Sequence, residues 1–380
     1  MKVMKVLILG AGFGGLEVAT GLSERFGAGI DVTLIDRADH FVFGFAKLDV
    51  MFGKQTADQV SHPYSAISKP GVTFVKTMVT SIDPVERRVQ TDAGEFDADF
   101  LVVALGADLD PSATPGFVEG GTEFYTNDGA FAAREVLANF AGGRIVIGVS
   151  STPFKCPPAP SETALLVHEF LAKRGLREKS EIALVMPLPT PIPPLPAASD
   201  AFLAAFAERG IEWHPKRVIQ RLDPVAHTVV FDDGSTMPYD LFLAVPKHVA
   251  PPVVVESGMT VDGWIPVNPL TLETSFLGVY AIGDVTSVGT PKAGAFSEGQ
   301  GSVVAEAIAA RIESGESSRT YDGNGVCYVE FGGDVAAKVD VTFLTGQPPF
   351  GEFGAPSAEY VALKDVFGSS RVARWFGPNA

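Results

Sequence analysis

The chain begins with an apolar run that predicts a buried strand. Residues 3–9 are apolar at almost every position, the glycine-rich turn at residues 10–15 follows at once, and residues 16–26 have the composition of a helix. Residues 31–36 form a second apolar run that ends on an acid. Since strands that are buried on both faces of a parallel sheet are apolar throughout, this order predicts a parallel βαβ unit at the N-terminus.

The same patterns continue along the rest of the chain and predict alternating strands and helices. Strands are predicted at residues 72–82, 87–91, 100–106, 144–148, 181–185, 229–232, 239–245, 278–284, 326–331 and 336–344. Helices are predicted at residues 47–53, 127–140, 199–209, 296–312 and 357–367. The last helix is trailed by Trp375 and Phe376, which we expect to pack against the body of the protein rather than against a membrane. The alternation predicts an α/β fold.

The turn at residues 10–15 has the spacing of a dinucleotide-binding motif. It reads G-x-G-x-x-G between a strand and a helix, and Asp36 follows about 20 residues later. Gly10 permits a tight turn, Gly12 lets the backbone approach a pyrophosphate, and Gly15 lets the helix pack closely on the sheet. The helix N-terminus offers amide donors and a positive dipole to phosphates. A bare motif of this kind could be a simple connection, but these flanks favour a dinucleotide site with Asp36 on the adenosine ribose.

A second unit repeats the pattern without its binding features. After the strand at residues 144–148 the chain reads G-V-S-S-T-P-F-K-C-P-P, which lacks the second and third glycines. Prolines stand where amide donors are needed, and the strand at residues 181–185 ends in Met186-Pro187 with no acid for a ribose. We therefore expect a Rossmann-like shape that does not bind a nicotinamide nucleotide.

Composition restricts the classes of partner. The 380 residues suffice for two or three domains, and 46% hydrophobic with 19% charged residues is typical of a compact soluble protein. The net charge of −16 disfavours nucleic acid and anionic lipid. No apolar run is long enough to span a membrane, and the first strand starts without a signal peptide, which favours the cytoplasm. Two cysteines are too few for a disulfide framework or a four-cysteine metal site, and we expect no metal.

The motifs together resemble the two-dinucleotide-domain flavoprotein reductases. The N-terminal glycine motif, the strand ending at Gly106 and the late Ala-Ile-Gly-Asp at residues 281–284 carry this resemblance. Residues 156–162 (C-P-P-A-P-S-E) are similar to the cysteine loop of sulfide:quinone oxidoreductases and of the flavoprotein subunit of flavocytochrome c sulfide dehydrogenase. Residues 327–330 (C-Y-V-E) resemble their second cysteine segment, and residues 290–294 (T-P-K-A-G) resemble their lysine turn. The resemblance covers essentially the whole chain.

The resemblance implies a glutathione-reductase-like fold with two Rossmann-like units and a small C-terminal α/β segment. The FAD-binding domain would comprise residues 1–112 and 250–318, the second, NAD-degenerate domain residues 113–249, and a C-terminal interface segment residues 319–380. The cofactor would be non-covalent FAD. The implied cofactor-binding residues are Gly10, Gly12, Phe13, Gly14, Gly15, Asp36, Arg37, Val79, Ala104, Gly106, Gly283, Asp284 and Lys292.

The resemblance also assigns catalytic roles. Cys156 and Cys327 would form a redox pair at the flavin, where hydrosulfide attacks their disulfide and leaves a persulfide and a thiolate. Lys292 would stabilise negative charge on the reduced flavin. We expect Lys155 to lower the pKa of the neighbouring thiol, and Glu162 to move protons on and off sulfur.

Two alternative interpretations of these residues remain open. Cys156 and Cys327 could be unrelated buried cysteines. Glu162 could instead serve only as a favourable acid at a helix N-terminus.

Four departures from the family pattern leave the electron acceptor open. Ser161 stands where the family usually has tyrosine, no cysteine lies between residues 100 and 156, and none lies in the loop at residues 40–50, which excludes a cysteinyl-flavin link. The end at Ala380 leaves little room for C-terminal membrane helices.

The resulting hypothesis is a cytoplasmic, FAD-dependent sulfide oxidoreductase. It would oxidise sulfide or another small sulfur nucleophile and reduce a quinone or a cytochrome, with peripheral contact to the inner face of the membrane and oligomerisation both left open. The alternatives are a type II NADH dehydrogenase-like FAD oxidoreductase and a redox-inert FAD-binding scaffold.

Overall fold

The computed structural model describes residues 3–315, 317 and 319–377. Its β-strands are β1 Lys5–Leu9, β2 Asp31–Asp36, β3 His40–Phe41, β4 His62–Pro63, β5 Val72–Lys76, β6 Val79–Asp83, β7 Arg88–Thr91, β8 Gly94–Asp97, β9 Phe100–Val103, β10 Asp108–Asp110, β11 Thr122–Glu123, β12 Gly143–Val149, β13 Ser180–Met186, β14 Ile211–Pro215, β15 Ile219–Asp223, β16 Thr228–Phe231, β17 Thr236–Pro238, β18 Leu241–Val245, β19 Lys247–Val249, β20 Val279–Ala281, β21 Asn324–Gly332, β22 Val335–Thr342 and β23 Phe350–Ser357. Its α-helices are α1 Phe13–Phe26, α2 Ala46–Met51, α3 Ala57–Val60, α4 Phe117–Gly120, α5 Asn127–Asn139, α6 Ala159–Lys173, α7 Pro196–Glu208, α8 Pro252–Glu256, α9 Gly294–Ile312 and α10 Ala358–Phe376.

The first unit is built on a parallel five-stranded sheet. Its strand order is β20-β9-β1-β2-β5, so the chain returns to this sheet late, through β20, as the sequence predicts. Helices α1 and α9 pack closely because small residues meet between them. A Cβ atom on Gly21 would lie 2.9 Å from the Cβ of Ala305, and one on Gly301 would lie 2.6 Å from the carbonyl oxygen of Gly14. This packing fixes the start of α1 against α9.

The second unit carries its own parallel sheet. Its order is β11-β18-β12-β13-β14, and α6 follows β12 at the point where a nucleotide-binding turn would stand in an intact unit. The antiparallel ribbon β10-β19 joins the two crossings of the chain between the units. The domain limits proposed at residues 112 and 249 lie beside this ribbon. Residues 1, 318 and 380, which also bound predicted domains, lie outside the described residues.

The C-terminal segment is an antiparallel sheet, β21-β22-β23, covered by α10. Here the sequence predictions need correction. Helix α10 continues to Phe376 instead of ending at residue 367, and β23 was not predicted. The expectation that Trp375 and Phe376 pack against the protein is confirmed, since both are fully buried.

Two further predictions of local structure were too coarse. The single strand predicted at residues 72–82 is divided into β5 and β6, which belong to different sheets, and the strand predicted at residues 278–284 ends at Ala281. The mixed α/β fold with two parallel sheets is otherwise the one that the sequence predicts. No helix in the described part of the chain is both long enough and apolar enough to cross a membrane.

Candidate active site

A cavity of about 490 Å³ lies where the two parallel sheets and the C-terminal sheet meet. Most residues predicted for cofactor binding or catalysis line it. They are Gly12, Phe13, Gly14, Asp36, Arg37, Ala104, Gly106, Cys156, Glu162, Gly283, Asp284, Lys292 and Cys327. Gly10 and Gly15, the first and last residues of the turn, do not line the cavity. Val79 does not line it either and begins β6, in a different sheet from the cavity's strands. The fold therefore brings most of the predicted residues to one cavity.

The glycine-rich turn is fixed by steric constraints that differ at each glycine. Gly10 has φ +101°, and a Cβ there would lie 2.3 Å from the carbonyl oxygen of Ala104. A Cβ on Gly15 would lie 1.9 Å from the carbonyl oxygen of Gly10. A Cβ on Gly12 would meet no protein atom within 4 Å, because Gly12 faces the cavity. Gly10 and Gly15 thus serve the fold of the turn, whereas Gly12 keeps its cavity side open.

Asp36 holds the same turn through both carboxylate oxygens. Its Oδ2 accepts a hydrogen bond from the backbone N–H of Ala11 at 2.8 Å, and its Oδ1 accepts one from Ala38 at 2.8 Å. A carboxylate has further lone pairs, so these bonds leave acceptor capacity for a ribose. Arg37 points outward and pairs with Asp108 at 3.2 Å.

Asp284 supplies a buried acceptor that faces the cavity. Its Oδ1 is buried, and within the described residues it has no hydrogen-bond partner. Burial raises the pKa of its carboxyl, while Lys155 and Lys292 oppose that rise. A buried oxygen without a donor is costly, and a hydroxyl group of a bound ligand would relieve it. The open face at Gly12 and the orphaned oxygen at Asp284 together fit an extended dinucleotide with a hydroxylated linker, as in FAD.

Lys292 lies at the edge of this region in a largely buried position. Its Nζ donates to the carbonyl oxygens of Asp284 and Thr286, the latter at 3.2 Å, and lies 3.4 Å from the ring centroid of Trp264. Burial lowers the pKa of Lys292 to about 8. The ammonium group is therefore held by backbone carbonyls and an aromatic face, next to the predicted ribityl acceptor.

The loop that carries Cys156 is attached to the Lys292 turn. Cys156 has φ +49°, its N–H donates to the carbonyl oxygen of Lys292 at 2.7 Å, and its own carbonyl oxygen accepts from Ala159 at 2.8 Å. Cys327 stands in β21, opposite Val339 of β22. Both cysteines are free and both line the cavity. The fold therefore brings the second-unit loop and the C-terminal strand to one cavity.

Both thiols lie in surroundings that disfavour their ionised forms. Burial, together with Cys327 and Glu162, raises the pKa of Cys156 well above its usual range, and Lys47 opposes this rise. Burial raises the pKa of Cys327 to about 11. The Nζ of Lys155, which the sequence predicts to lower the pKa of its neighbour, donates to the carbonyl oxygen of Ala107 at 3.1 Å. Lys47 of α2 is a lysine that lowers the pKa of Cys156.

Glu162 is a buried acid between the two cysteine segments. Its Oε1 accepts a hydrogen bond from the backbone N–H of Glu330 at 2.8 Å, and burial raises its pKa to about 7. It also stands near the start of α6, as the competing interpretation proposed. The helix-start location and the cavity location are compatible, because the first turns of α6 face the cavity. Glu162 therefore has the location and the pKa that a proton-transfer group needs near neutral pH.

Sequence reasoning missed other charged and polar groups at the site. Lys47 donates to the carbonyl oxygen of Tyr125, and the Tyr125 hydroxyl is buried with no partner within the described residues. Burial and Lys155 lower the pKa of Lys47 to about 8. Glu330 accepts from Lys54 and Lys364. None of these residues belongs to a spacing motif, although Glu330 lies in the C-Y-V-E segment at residues 327–330. Among the described residues, no group of three or more His, Cys, Asp or Glu could hold a metal ion.

Comparison with known proteins identifies the family. A family model for pyridine nucleotide-disulphide oxidoreductases matches residues 4–310. The chain belongs to that family. Within the family, the chain is similar to the mitochondrial sulfide:quinone oxidoreductase of Mus musculus, with 28% identity over 340 residues, 85% of this chain and 74% of the relative.

One solved structure and one further sequence relative show where this chain is similar to other proteins. The X-ray structure of the sulfide:quinone oxidoreductase from Aquifex aeolicus superposes with a TM-score of 0.87 at 23% identity, covering 99% of this chain and 92% of that one. The type II NADH:quinone oxidoreductase of Staphylococcus saprophyticus is 40% identical over 104 residues, only 27% of this chain and 26% of that protein. The glutathione-reductase-like fold predicted from sequence is confirmed, and FAD is the cofactor.

Proposed function

We propose that this chain is an FAD-dependent sulfide oxidoreductase that oxidises sulfide at Cys156 and Cys327 and passes the electrons through FAD to a quinone. The observation that carries the proposal is that the chain's two cysteines, 171 residues apart, line one cavity with the cofactor turn and Glu162. The similarity to sulfide:quinone oxidoreductases over most of the chain supports the choice of sulfide and quinone.

The sulfur chemistry balances with these residues. Hydrosulfide attacks a Cys156–Cys327 disulfide, so that one S–S bond forms and the other breaks, leaving a persulfide on one cysteine and a thiolate on the other. Closing the persulfide onto the thiolate forms a three-sulfur bridge and releases one proton and two electrons. When bound, FAD supplies the two-electron acceptor for this step. Transfer of the bridging sulfur to a second hydrosulfide restores the disulfide and gives hydrodisulfide. Overall, two hydrosulfide ions, quinone and one proton give hydrodisulfide and quinol.

Glu162 and two lysines provide the charge control that this scheme needs. Both cysteine pKa values are raised by burial, so water alone would seldom deprotonate these thiols at neutral pH. A carboxyl with a pKa of about 7 exchanges protons readily there, and Glu162 is the acid beside them. Lys47 favours the thiolate of Cys156, and Lys292 would favour negative charge at the cofactor.

An anaerobic titration of the purified protein tests the proposal. Sulfide should bleach the oxidised flavin absorbance, and NADH should leave it unchanged. Bleaching by NADH would support a type II NADH dehydrogenase-like activity, and bleaching by neither reagent would support a redox-inert scaffold. Adding a short-chain quinone to the sulfide-reduced protein should restore the oxidised spectrum, whereas restoration by a cytochrome alone would refute the choice of acceptor. A quinone acceptor would require peripheral contact with a membrane, where quinones reside.

The cysteine variants test the residue assignment. We expect Cys156→Ser and Cys327→Ser each to abolish flavin reduction by sulfide, and the double variant to be no worse, because residues that act as one unit are non-additive. All three variants should retain FAD, which the flavin spectrum measures. If either single variant keeps near-normal reduction by sulfide, the pair is not the catalytic unit.

A further inference from the structure

The last turn of α10 is bound to α1, the helix that begins in the dinucleotide turn. Arg374 Nη2 lies 2.8 Å from Glu17 Oε1, and the indole Nε1 of Trp375 donates to Glu17 Oε2 at 2.9 Å. Glu17 is only 5% exposed, and Trp375 is completely buried. Arg374 also pairs with Glu24 of α1 at 2.7 Å. A buried carboxylate on the cofactor-binding helix is thus neutralised by residues from the other end of the chain.

The same indole packs against the turn itself. The ring centroid of Trp375 lies 5.6 Å from that of Phe13, 5.7 Å from that of Phe41 and 6.0 Å from that of Phe43. Phe13 stands inside the glycine-rich turn and lines the cavity. Edge-to-face and offset contacts at these distances stabilise a defined ring arrangement. The side of Phe13 away from the cavity therefore rests on the C-terminal helix.

Glu17 lies close to the place where a pyrophosphate binds. It follows Phe13 by four residues on α1, which is about 6 Å along the helix axis. The N-terminus of α1 favours anions through its amide donors and dipole. A buried carboxylate one turn away would oppose that attraction if it were left uncompensated, because charges in protein interiors are weakly screened.

We propose that Arg374 and Trp375 are positioning residues for FAD, which hold the turn at Phe13 and cancel the charge of Glu17. The C-terminal helix then determines how tightly the cofactor is retained, although it contributes no group to the dinucleotide motif. This inference rests on FAD as the cofactor and is independent of the sulfide chemistry.

A charge-rescue experiment separates this role from simple structural support. FAD release from the holoenzyme is followed by the recovery of free flavin fluorescence after dilution, for Arg374→Gln, Glu17→Gln and the double variant. Arg374→Gln should release FAD about tenfold faster, because Glu17 loses its charged hydrogen-bond partner. The double variant should release FAD within about twofold of Glu17→Gln alone, since a neutral side chain at position 17 no longer needs Arg374. Val366→Ala, at an exposed position of the same helix, is the matched control and should behave as wild type.

Conservative variants of the indole complete the test. Trp375→Phe keeps an aromatic ring and removes the N–H donor, so it should release FAD faster than wild type but more slowly than Trp375→Ala. Unfolding is followed by circular dichroism in saturating FAD. The proposal is overturned if Glu17→Gln fails to rescue Arg374→Gln, if the Trp375 variants retain FAD like wild type, or if release rises only in proportion to lost fold stability. Flavin reduction by sulfide plays no part in these readouts.

Discussion

Replacing Lys364 by methionine tests how much the buried charge cluster beside Glu162 stabilises the fold. This cluster consists of Asp49, Lys54, Glu330 and Lys364. Lys364 is 4% exposed; its Nζ donates to Glu330 and lies 4.0 Å from a carboxylate oxygen of Asp49. Methionine retains most of the aliphatic volume, so the substitution mainly removes the charge.

The expected loss of stability follows from what the substitution leaves behind. Removing one partner of a buried ion pair costs about 3–5 kcal/mol. Glu330 keeps its contact with Lys54, so we expect the lower end, about 3 kcal/mol in the free energy of unfolding. With a urea m value of about 3 kcal/mol/M or more, the midpoint should fall by up to about 1 M.

Urea unfolding in saturating FAD, followed by circular dichroism, measures this loss. Lys338→Met is the matched control, because Lys338 pairs with Asp340 at 3.0 Å on the same sheet with both side chains about a third exposed. An exposed pair of this kind contributes about 1 kcal/mol or less. Equal losses in the two variants, or a loss below about 1 kcal/mol for Lys364→Met, would refute the reasoning.

The pH dependence gives an independent check on the same variant. Burial raises the pKa of Asp49 and Lys364 lowers it, so losing Lys364 raises that pKa further. A carboxyl whose pKa is higher in the folded than in the unfolded state destabilises the fold when it is ionised, and proton uptake relieves this. The stability difference between Lys364→Met and wild type should therefore narrow as the pH falls below neutrality.

Three further predictions concern the cofactor and the acid. In wild type, the rate of flavin reduction by sulfide should rise with pH through about 7 as Glu162 ionises. Sulfide itself ionises in that range, so the test is the ratio of the wild-type rate to the Glu162→Gln rate. That ratio should also rise with pH through about 7. Gly10→Ala should lose both FAD and about 2 kcal/mol or more of stability. Gly12→Ala should weaken FAD binding with little change in the urea midpoint of the FAD-free protein. The reverse order would contradict the geometry of the turn. Acid or heat precipitation should release all flavin into the supernatant, and flavin left in the pellet would indicate a covalent link.

The sequence patterns predicted those features that depend on residues close together in the chain. The motif at residues 10–15 requires only local backbone geometry, and the positive φ of Gly10 and the open space beside Gly12 agree with the roles predicted for them. The continuous apolar runs predicted the parallel strands, because burial on both faces leaves no polar position. Lys47 was missed for the opposite reason. Lys155 is adjacent to Cys156 in sequence, but its side chain turns to Ala107, and Lys47 reaches the site from a distant helix.

The end of α10 shows where local propensity fails. The predicted helix ends at residue 367, and residues 368–370 read Gly-Ser-Ser, a sequence that disfavours a helix interior. The helix continues because Trp375 and Phe376 become fully buried and Arg374 pairs with two glutamates of α1. Packing of this kind outweighs about 1 kcal/mol of unfavourable propensity. Strand β23 was missed for a related reason: its glycines and proline are depleted in strands, and its strand conformation depends on pairing with β22.

The degenerate loop of the second unit is best understood through the topology of parallel sheets. In open α/β sheets, ligand sites form beyond the carboxyl ends of the strands, and the loop after β12 occupies such an end. In this chain the loop faces the cavity of the first unit, where the N–H of Cys156 donates to the carbonyl oxygen of Lys292. Prolines remove the amide donors that phosphates require, and the same segment delivers a thiol and a buried acid. Under the proposed function, this loop would support thiol chemistry at a position where the fold places ligands.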